Sequence, residues 1–307
     1  MSMTPYYFKQ AVLRAMRGGI SLIGANKPAL DIGPGLESLA NTTLDQTAPA
    51  RYDEEAPIFL LATGWRTGST LMQRILITDP KLLVWGEPHG DLDILNRLSE
   101  IIAGFSRPIA PDSVILTERA ENMSGEWIAN LYPRTSVIRQ ALQSMIYDWL
   151  GQPAKELGYS RWGMKEVRLG YEEAELLRWL FPRAKFVVIT RDPYDSYRSA
   201  MQLGALWERW PDRLVHDAYA YGRLWNRLAM SWKSAATDFP LRLYRLEDVT
   251  RERVDFQDLA SFCGLDLAPE AAIGKKVGSA RSDVALSFID RMLLDRANRP
   301  ARNWLQY

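Results

Sequence analysis

At 307 residues the chain can bury a sizeable core, as one large α/β domain or as two smaller ones. Hydrophobic residues at 47% and charged residues at 24% exclude a disordered chain. The 38 basic and 37 acidic side chains nearly cancel, which leaves no global field to hold a nucleic acid polymer, so any bound anion needs a local site.

In chain order, residues 6–23 carry Lys9, Arg14 and Arg17 among apolar residues, but no uninterrupted run reaches membrane-spanning or secretory length. They read as an amphipathic helix packed on the domain, with contact to a membrane surface as the alternative. Residues 24–57, with scattered Gly, Pro, Asn and Thr and then Asp53-Glu54-Glu55, read as an irregular connection. The expected organisation is an extension over 1–56 and one domain over 57–307. Within it, residues 58–62 and 185–190 are short continuous apolar runs of the kind buried parallel strands need, and 82–85, 162–165 and 241–246 are weaker candidates. Leu, Trp and Met at 3- and 4-residue spacing predict helices over 91–103, 135–150, 172–180, 194–209 and 213–236. This alternation predicts a three-layer α/β/α fold with a central parallel sheet. A single cysteine, Cys263, cannot form an internal disulfide, and two histidines, His89 and His216, are too few for a typical zinc cluster. A reduced, cytoplasmic setting and no metal are therefore expected.

Directly after the first strand stands Thr63-Gly64-Trp65-Arg66-Thr67-Gly68-Ser69-Thr70, followed by the apolar-periodic Leu71-Met72-Gln73-Arg74-Ile75-Leu76. A strand, a glycine-bearing turn and a helix start make an anion site, because unpaired backbone N–H groups and the positive end of the helix dipole point at one spot. The plain alternative is a βα turn capped by Ser69. A Walker A loop is excluded, since three residues rather than four separate Gly64 from Gly68 and Ser69 stands where its lysine belongs. After the strand at 185–190 comes Arg191-Asp192-Pro193, with Ser199 eight residues beyond Arg191; an arginine at a strand end and a hydroxyl two turns into the next helix can close on one phosphate. Trp85-Gly86-Glu87-Pro88-His89 ends the second strand candidate, 21 residues beyond Arg66, and Trp162-Gly163-Met164-Lys165-Glu166 ends another, with Lys165 26 residues before Arg191. Read alone, Glu87 is a loop carboxylate and Lys165 a surface cation.

Taken together, these four motifs resemble those of sulfotransferases that use 3'-phosphoadenosine-5'-phosphosulfate (PAPS), with a spacing similar to the tyrosyl-protein sulfotransferases. The resemblance covers residues 57–290 and implies a P-loop-like sulfotransferase fold. It implies that Arg66, Thr67, Gly68, Ser69, Thr70 and Leu71 hold the 5'-phosphosulfate and that Arg191 and Ser199 hold the 3'-phosphate. Glu87 would be the catalytic base, with Arg66 and Lys165 stabilising the transferred group; PAP, adenosine 3',5'-bisphosphate, would be the product. Leu243-Tyr244-Arg245-Leu246-Glu247-Asp248 resembles the family's strand ending in Tyr-Glu-Asp, with Leu246 where an adenine-contacting tyrosine is common. Residues 275–282, ending in Ser282, resemble the late loop that closes over the donor. The implied acceptor is a small molecule, carbohydrate or peptide hydroxyl or amine. Near-neutral charge disfavours a strongly anionic glycan, and the aromatic-rich segments 127–149 and 194–232 point to a partly apolar pocket. Two rival readings stand beside it, a small-molecule P-loop kinase and a non-catalytic nucleotide-binding module.

Overall fold

The computed structural model describes residues 32–41, 51–88, 94–105, 136–202, 215, 217–273 and 285–307. The helix expected over 6–23, both histidines and the loop at 275–282 with Ser282 lie outside them.

Five strands form one parallel sheet: β1 Ile58–Ala62, β2 Leu82–Gly86, β3 Arg161–Glu166, β4 Lys185–Thr190 and β5 Leu241–Arg245, in the order β2-β3-β1-β4-β5. β1 is buried at every position. Its side chains alternate between two cores, Ile58, Leu60 and Ala62 on one face and Phe59 and Leu61 on the other. That is why its sequence is apolar throughout rather than alternating.

Among the described residues, the helices in chain order are α1 Gly33–Asn41, α2 Ser69–Leu76, α3 Ile94–Gly104, α4 Ser136–Ile146, α5 Gln152–Glu156, α6 Tyr171–Leu180, α7 Pro193–Met201, α8 Ala218–Lys233, α9 Leu246–Thr250, α10 Phe256–Cys263, α11 Glu270–Ile273 and α12 Phe288–Leu305. Met72, Ile75 and Leu76 of α2, Tyr197 and Ala200 of α7, and Tyr221, Leu224 and Trp225 of α8 cover one face of the sheet. Leu95, Leu98 and Ile102 of α3 and Ala174, Leu176, Leu177 and Leu180 of α6 cover the other. The result is the three-layer α/β/α arrangement. Among the described residues no helix is long and apolar enough to cross a membrane.

Four local readings are corrected. Residues 33–41 form α1 inside the stretch read as irregular; Gly35 lets it approach α3 so closely that a Cβ there would lie 2.0 Å from the Ile102 carbonyl oxygen. The helix read over 135–150 ends at Ile146 and passes into a π-helical turn, Tyr147–Gly151. Leu246, read as strand, starts α9. The 18-residue α12 escaped the periodicity reading because Pro300 interrupts it. With the helical ladder broken there, the Ala301 N–H donates instead to Asn226 Oδ1 of α8 at 3.1 Å, and Gly222 of α8 lies against Ala297.

Gly163 sets the spacing between β3 and β1. It pairs with Ile58, and a Cβ on it would sit 2.2 Å from the Ile58 carbonyl oxygen, a backbone atom that cannot swing aside. Gly163→Ala should therefore lower the free energy of urea unfolding by about 1–3 kcal/mol. An unchanged unfolding midpoint would mean that the strands do not approach this closely.

Candidate active site

The strand order brings the four sequence motifs to one edge of the sheet. β1 connects to β2 on one side and β4 connects to β5 on the other, so adjacent β1 and β4 form a topological switch point, where ligands of open α/β sheets bind beyond the strand ends. Hydroxyl and backbone bonds lock this edge. Thr63 Oγ1 donates to Thr190 Oγ1 at 3.0 Å, the Thr63 N–H donates to the Ile189 carbonyl at 3.2 Å, and Thr67 Oγ1 closes the loop on the Gly64 carbonyl at 2.8 Å. Tyr221, fully buried on α8, supports the loop from below by donating its hydroxyl to the Trp65 carbonyl at 3.0 Å.

The loop then turns sharply into α2. Gly64, Arg66 and Gly68 all have positive φ, at 130°, 68° and 91°. Gly68 is the N-cap, and no side chain caps α2. The turn capped by Ser69 is thus not what forms, and the first amides of α2 remain available to an anion. Leu246 packs on Gly68 so tightly that a Cβ there would meet its Cδ1 at 2.4 Å.

Arg66 joins this loop to the next motif. Its Nε donates to Ser199 Oγ at 3.0 Å, and Arg191 Nη1 donates to its carbonyl at 3.1 Å. Burial and the neighbouring positive charge of Arg191 push the Arg66 guanidinium below its ordinary value. Two cations are held together at a cost that a bound anion would relieve. The start of α7 fixes Arg191 in turn. Asp192 caps α7 through the amides of Tyr194 and Asp195, at 2.8 and 3.2 Å, with Pro193 in the first turn. Trp225 Nε1 donates to the Arg191 carbonyl at 3.2 Å. Glu247 accepts from the Asp192 amide at 3.0 Å and from the Tyr307 hydroxyl at 3.2 Å.

On the other side of β1 stand Glu87 and Lys165. The Glu87 amide extends the β2–β3 pairing by donating to the Lys165 carbonyl at 2.8 Å, and Glu87 takes φ of 40°. Lys165 Nζ donates to Glu87 Oε1 at 2.6 Å, with both side chains largely buried. Neither reads in this setting as a solvated surface charge. Glu87 Oε2 is buried and has no hydrogen bond among the described residues. Arg66 and Glu87 are two of the four non-glycine residues with positive φ among the described residues, a strain that the surrounding bonds hold in place.

The sequence reading missed Glu166 and Arg168 as part of this group. Arg168 Nη1 donates to Glu166 Oε1 at 2.9 Å, and its Nη2 lies 3.6 Å from Glu87 Oε2. The signal was a run of alternating charge, Lys165-Glu166-Val167-Arg168, leaving a buried strand. Cys263 is buried, which pushes its thiol up to about 12 and makes it a poor nucleophile. Among the described residues, no group of His, Cys, Asp or Glu side chains could hold a metal ion.

Fold and site together define an α/β protein with an uncapped, glycine-bearing loop after its central strand and a buried acid–cation pair beside it. A model of the sulfotransferase family matches residues 57–269, and the chain belongs to that family. Solved structures that the chain is similar to include the sulfotransferase domain of the Synechococcus PCC 7002 olefin synthase, 18% identical over 84% of this chain and 97% of that one, with a TM-score of 0.45. A sulfotransferase from Alicyclobacillus acidocaldarius is 17% identical over 81% and 94% of the two chains, with a TM-score of 0.46. No curated protein sequence matches the chain.

Glu166 gives the site a pH signature. Burial raises its carboxyl from 4.5 to about 7, against the opposing pull of Arg168 and the Val167 amide. The folded chain then binds this proton more tightly than the unfolded one. The stabilising contribution of Glu166 is therefore full below pH 4.5 and lost as pH rises through about 7. Urea unfolding of the wild type should lose stability relative to Glu166→Gln across that window, by up to about 1.4 kcal/mol per pH unit. A difference between the two proteins that does not vary with pH would contradict the assignment.

Proposed function

We propose that the chain transfers a sulfonate group from PAPS to an acceptor hydroxyl or amine. The observation that carries this reading is the position of Arg66: it lies in the uncapped loop before α2 and also bonds to both Ser199 and Arg191. A donor with phosphate at both its 3' and 5' positions matches two anion-binding elements joined by one arginine. In this reading Arg191 and Ser199 take the 3'-phosphate, and the segment from Arg66 through Thr67, Gly68, Ser69, Thr70 and Leu71 takes the 5'-phosphosulfate. Ser282 joins the donor contacts by resemblance alone.

The reaction is an in-line displacement. The acceptor oxygen or nitrogen forms a bond to sulfur, the bond from sulfur to the 5'-phosphate oxygen breaks, and PAP leaves with the electron pair. Negative charge grows on that leaving oxygen, so fixed positive groups lower the barrier; Arg66, Lys165 and the α2 amides supply them. Glu87 Oε2 receives the acceptor proton, since a carboxylate oxygen that has no hydrogen bond among the described residues can both orient an acceptor and deprotonate it. The missing Walker lysine counts against the kinase reading.

Calorimetric titration tests the donor. PAP should bind far more tightly than AMP, and Arg191→Ala should remove most of that difference, a loss of about 10-fold or more from one charge-assisted contact. Equal affinity of the wild type for the two nucleotides would overturn the donor assignment.

Turnover tests the base. Measured as PAP formation from PAPS against a panel of phenols, alcohols and amines, it should fall about 10²- to 10⁴-fold in Glu87→Gln, with PAP affinity unchanged. Near-normal turnover in Glu87→Gln would contradict the role given to Glu87. Activity should also persist in excess EDTA, because side-chain and backbone groups supply the positive charge; loss on chelation, restored by magnesium, would favour the kinase reading.

A further inference from the structure

The site asks two things of Lys165. It neutralises Glu87 at 2.6 Å, and in the proposed reaction it also stabilises the transferred group. One ammonium moving between these tasks would leave a buried carboxylate without a counter-charge, an arrangement proteins strongly disfavour. The geometry supplies a second cation.

Arg168 stands on the far side of Glu87, with Nη2 3.6 Å from Oε2, too far to occupy that oxygen's lone pair yet close enough to hold its charge. Its other terminal nitrogen, Nη1, is fixed at 2.9 Å on Glu166 Oε1, which also accepts from the Val167 amide at 2.7 Å. Lys165, Glu166 and Arg168 are all buried. A planar guanidinium can serve two carboxylates at once in a fixed geometry, which a lysine ammonium does less well.

We propose that Arg168 is the positioning residue for Glu87, anchored on Glu166, and that it supplies the counter-charge that holds the Glu87 carboxylate in place when Lys165 turns to the transferred group. The inference rests on the roles proposed for Glu87 and Lys165. In it Arg168 touches neither substrate and acts only through Glu87.

Sharing of one guanidinium can be read without donor or acceptor. With glutamate labelled by 13C at the carboxyl carbon, the Glu166 signal is assigned by its loss in Glu166→Gln and followed as a function of pH. Among the described residues, the charged groups that act most strongly on Glu166 are Arg168, Glu87 and Lys165, so each is varied. Glu87→Gln removes a negative neighbour and ends the sharing of Arg168 between the two carboxylates, and should lower the Glu166 midpoint by at least about 1 pH unit. In a Lys165→Met background, where Arg168 is the cation left beside Glu87 among the described residues, the same substitution should lower it further. In an Arg168→Lys background, which keeps the charge but loses the fork, the effect of Glu87→Gln should shrink; this arm keeps the test decisive if Lys165→Met does not fold. A Glu166 midpoint indifferent to Glu87→Gln, or an equal response in all three backgrounds, overturns the proposal. These outcomes leave the donor assignment untouched, and failure of PAP to outbind AMP would leave the shared guanidinium standing.

Discussion

The site depends on the parallel pairing of β1 with both of its neighbours. Because β3 and β4 run alongside β1 in the same direction, their C-terminal ends reach one edge of the sheet together, and residues far apart in the chain meet there. Strands in a sheet lie about 4.8 Å apart, so a single strand separates the Lys165 motif from the Arg191 motif. Gly163 permits the close approach of β3, and the paired hydroxyls of Thr63 and Thr190 fasten β1 to β4. The candidate site residues are therefore positioned by strands that the core holds, with loops carrying only the final turn.

Across that edge the charge is divided unevenly. On the β4 side Arg66 and Arg191 sit together, and burial and mutual repulsion lower the basicity of Arg66. On the β3 side two cations, Lys165 and Arg168, face two carboxylates, Glu87 and Glu166. Among the described residues, one half gathers positive charge, and the other sets each cation against a carboxylate. Backbone strain falls on Arg66 and Glu87, one residue in each half. Strain at such positions persists only where surrounding contacts over-determine it, and here the Thr67 and Tyr221 bonds to the loop and the Glu87 amide bond to β3 do so.

Much of this was legible in the sequence because buried parallel strands are written in continuous apolar runs. The runs at 58–62 and 185–190 match β1 and β4, and the three weaker candidates overlap the remaining strands. The strand-end motifs were legible because glycines, Arg-Asp-Pro and strand-end charges have fixed spacings. The network behind Glu87 was not, because sequence cannot say whether Arg168 points into the sheet edge or into water. Glu247 and Tyr307 were likewise invisible as supports of Asp192, since a contact across 55 residues leaves no local pattern. Helix α12 was obscured by Pro300 and its many arginines, although Leu294, Ala297, Ala301 and Leu305 form an apolar stripe at helical spacing.

The decisive measurement is a crystal structure with adenosine 3',5'-bisphosphate bound. The 3'-phosphate should lie between Arg191 and Ser199 and the 5'-phosphate at the N-terminus of α2, with the Arg66 side chain drawn from Ser199 onto the nucleotide. Nucleotide bound away from the β1–β4 edge, or bound there with its 3'-phosphate clear of Arg191 and Ser199, would contradict the proposed donor site.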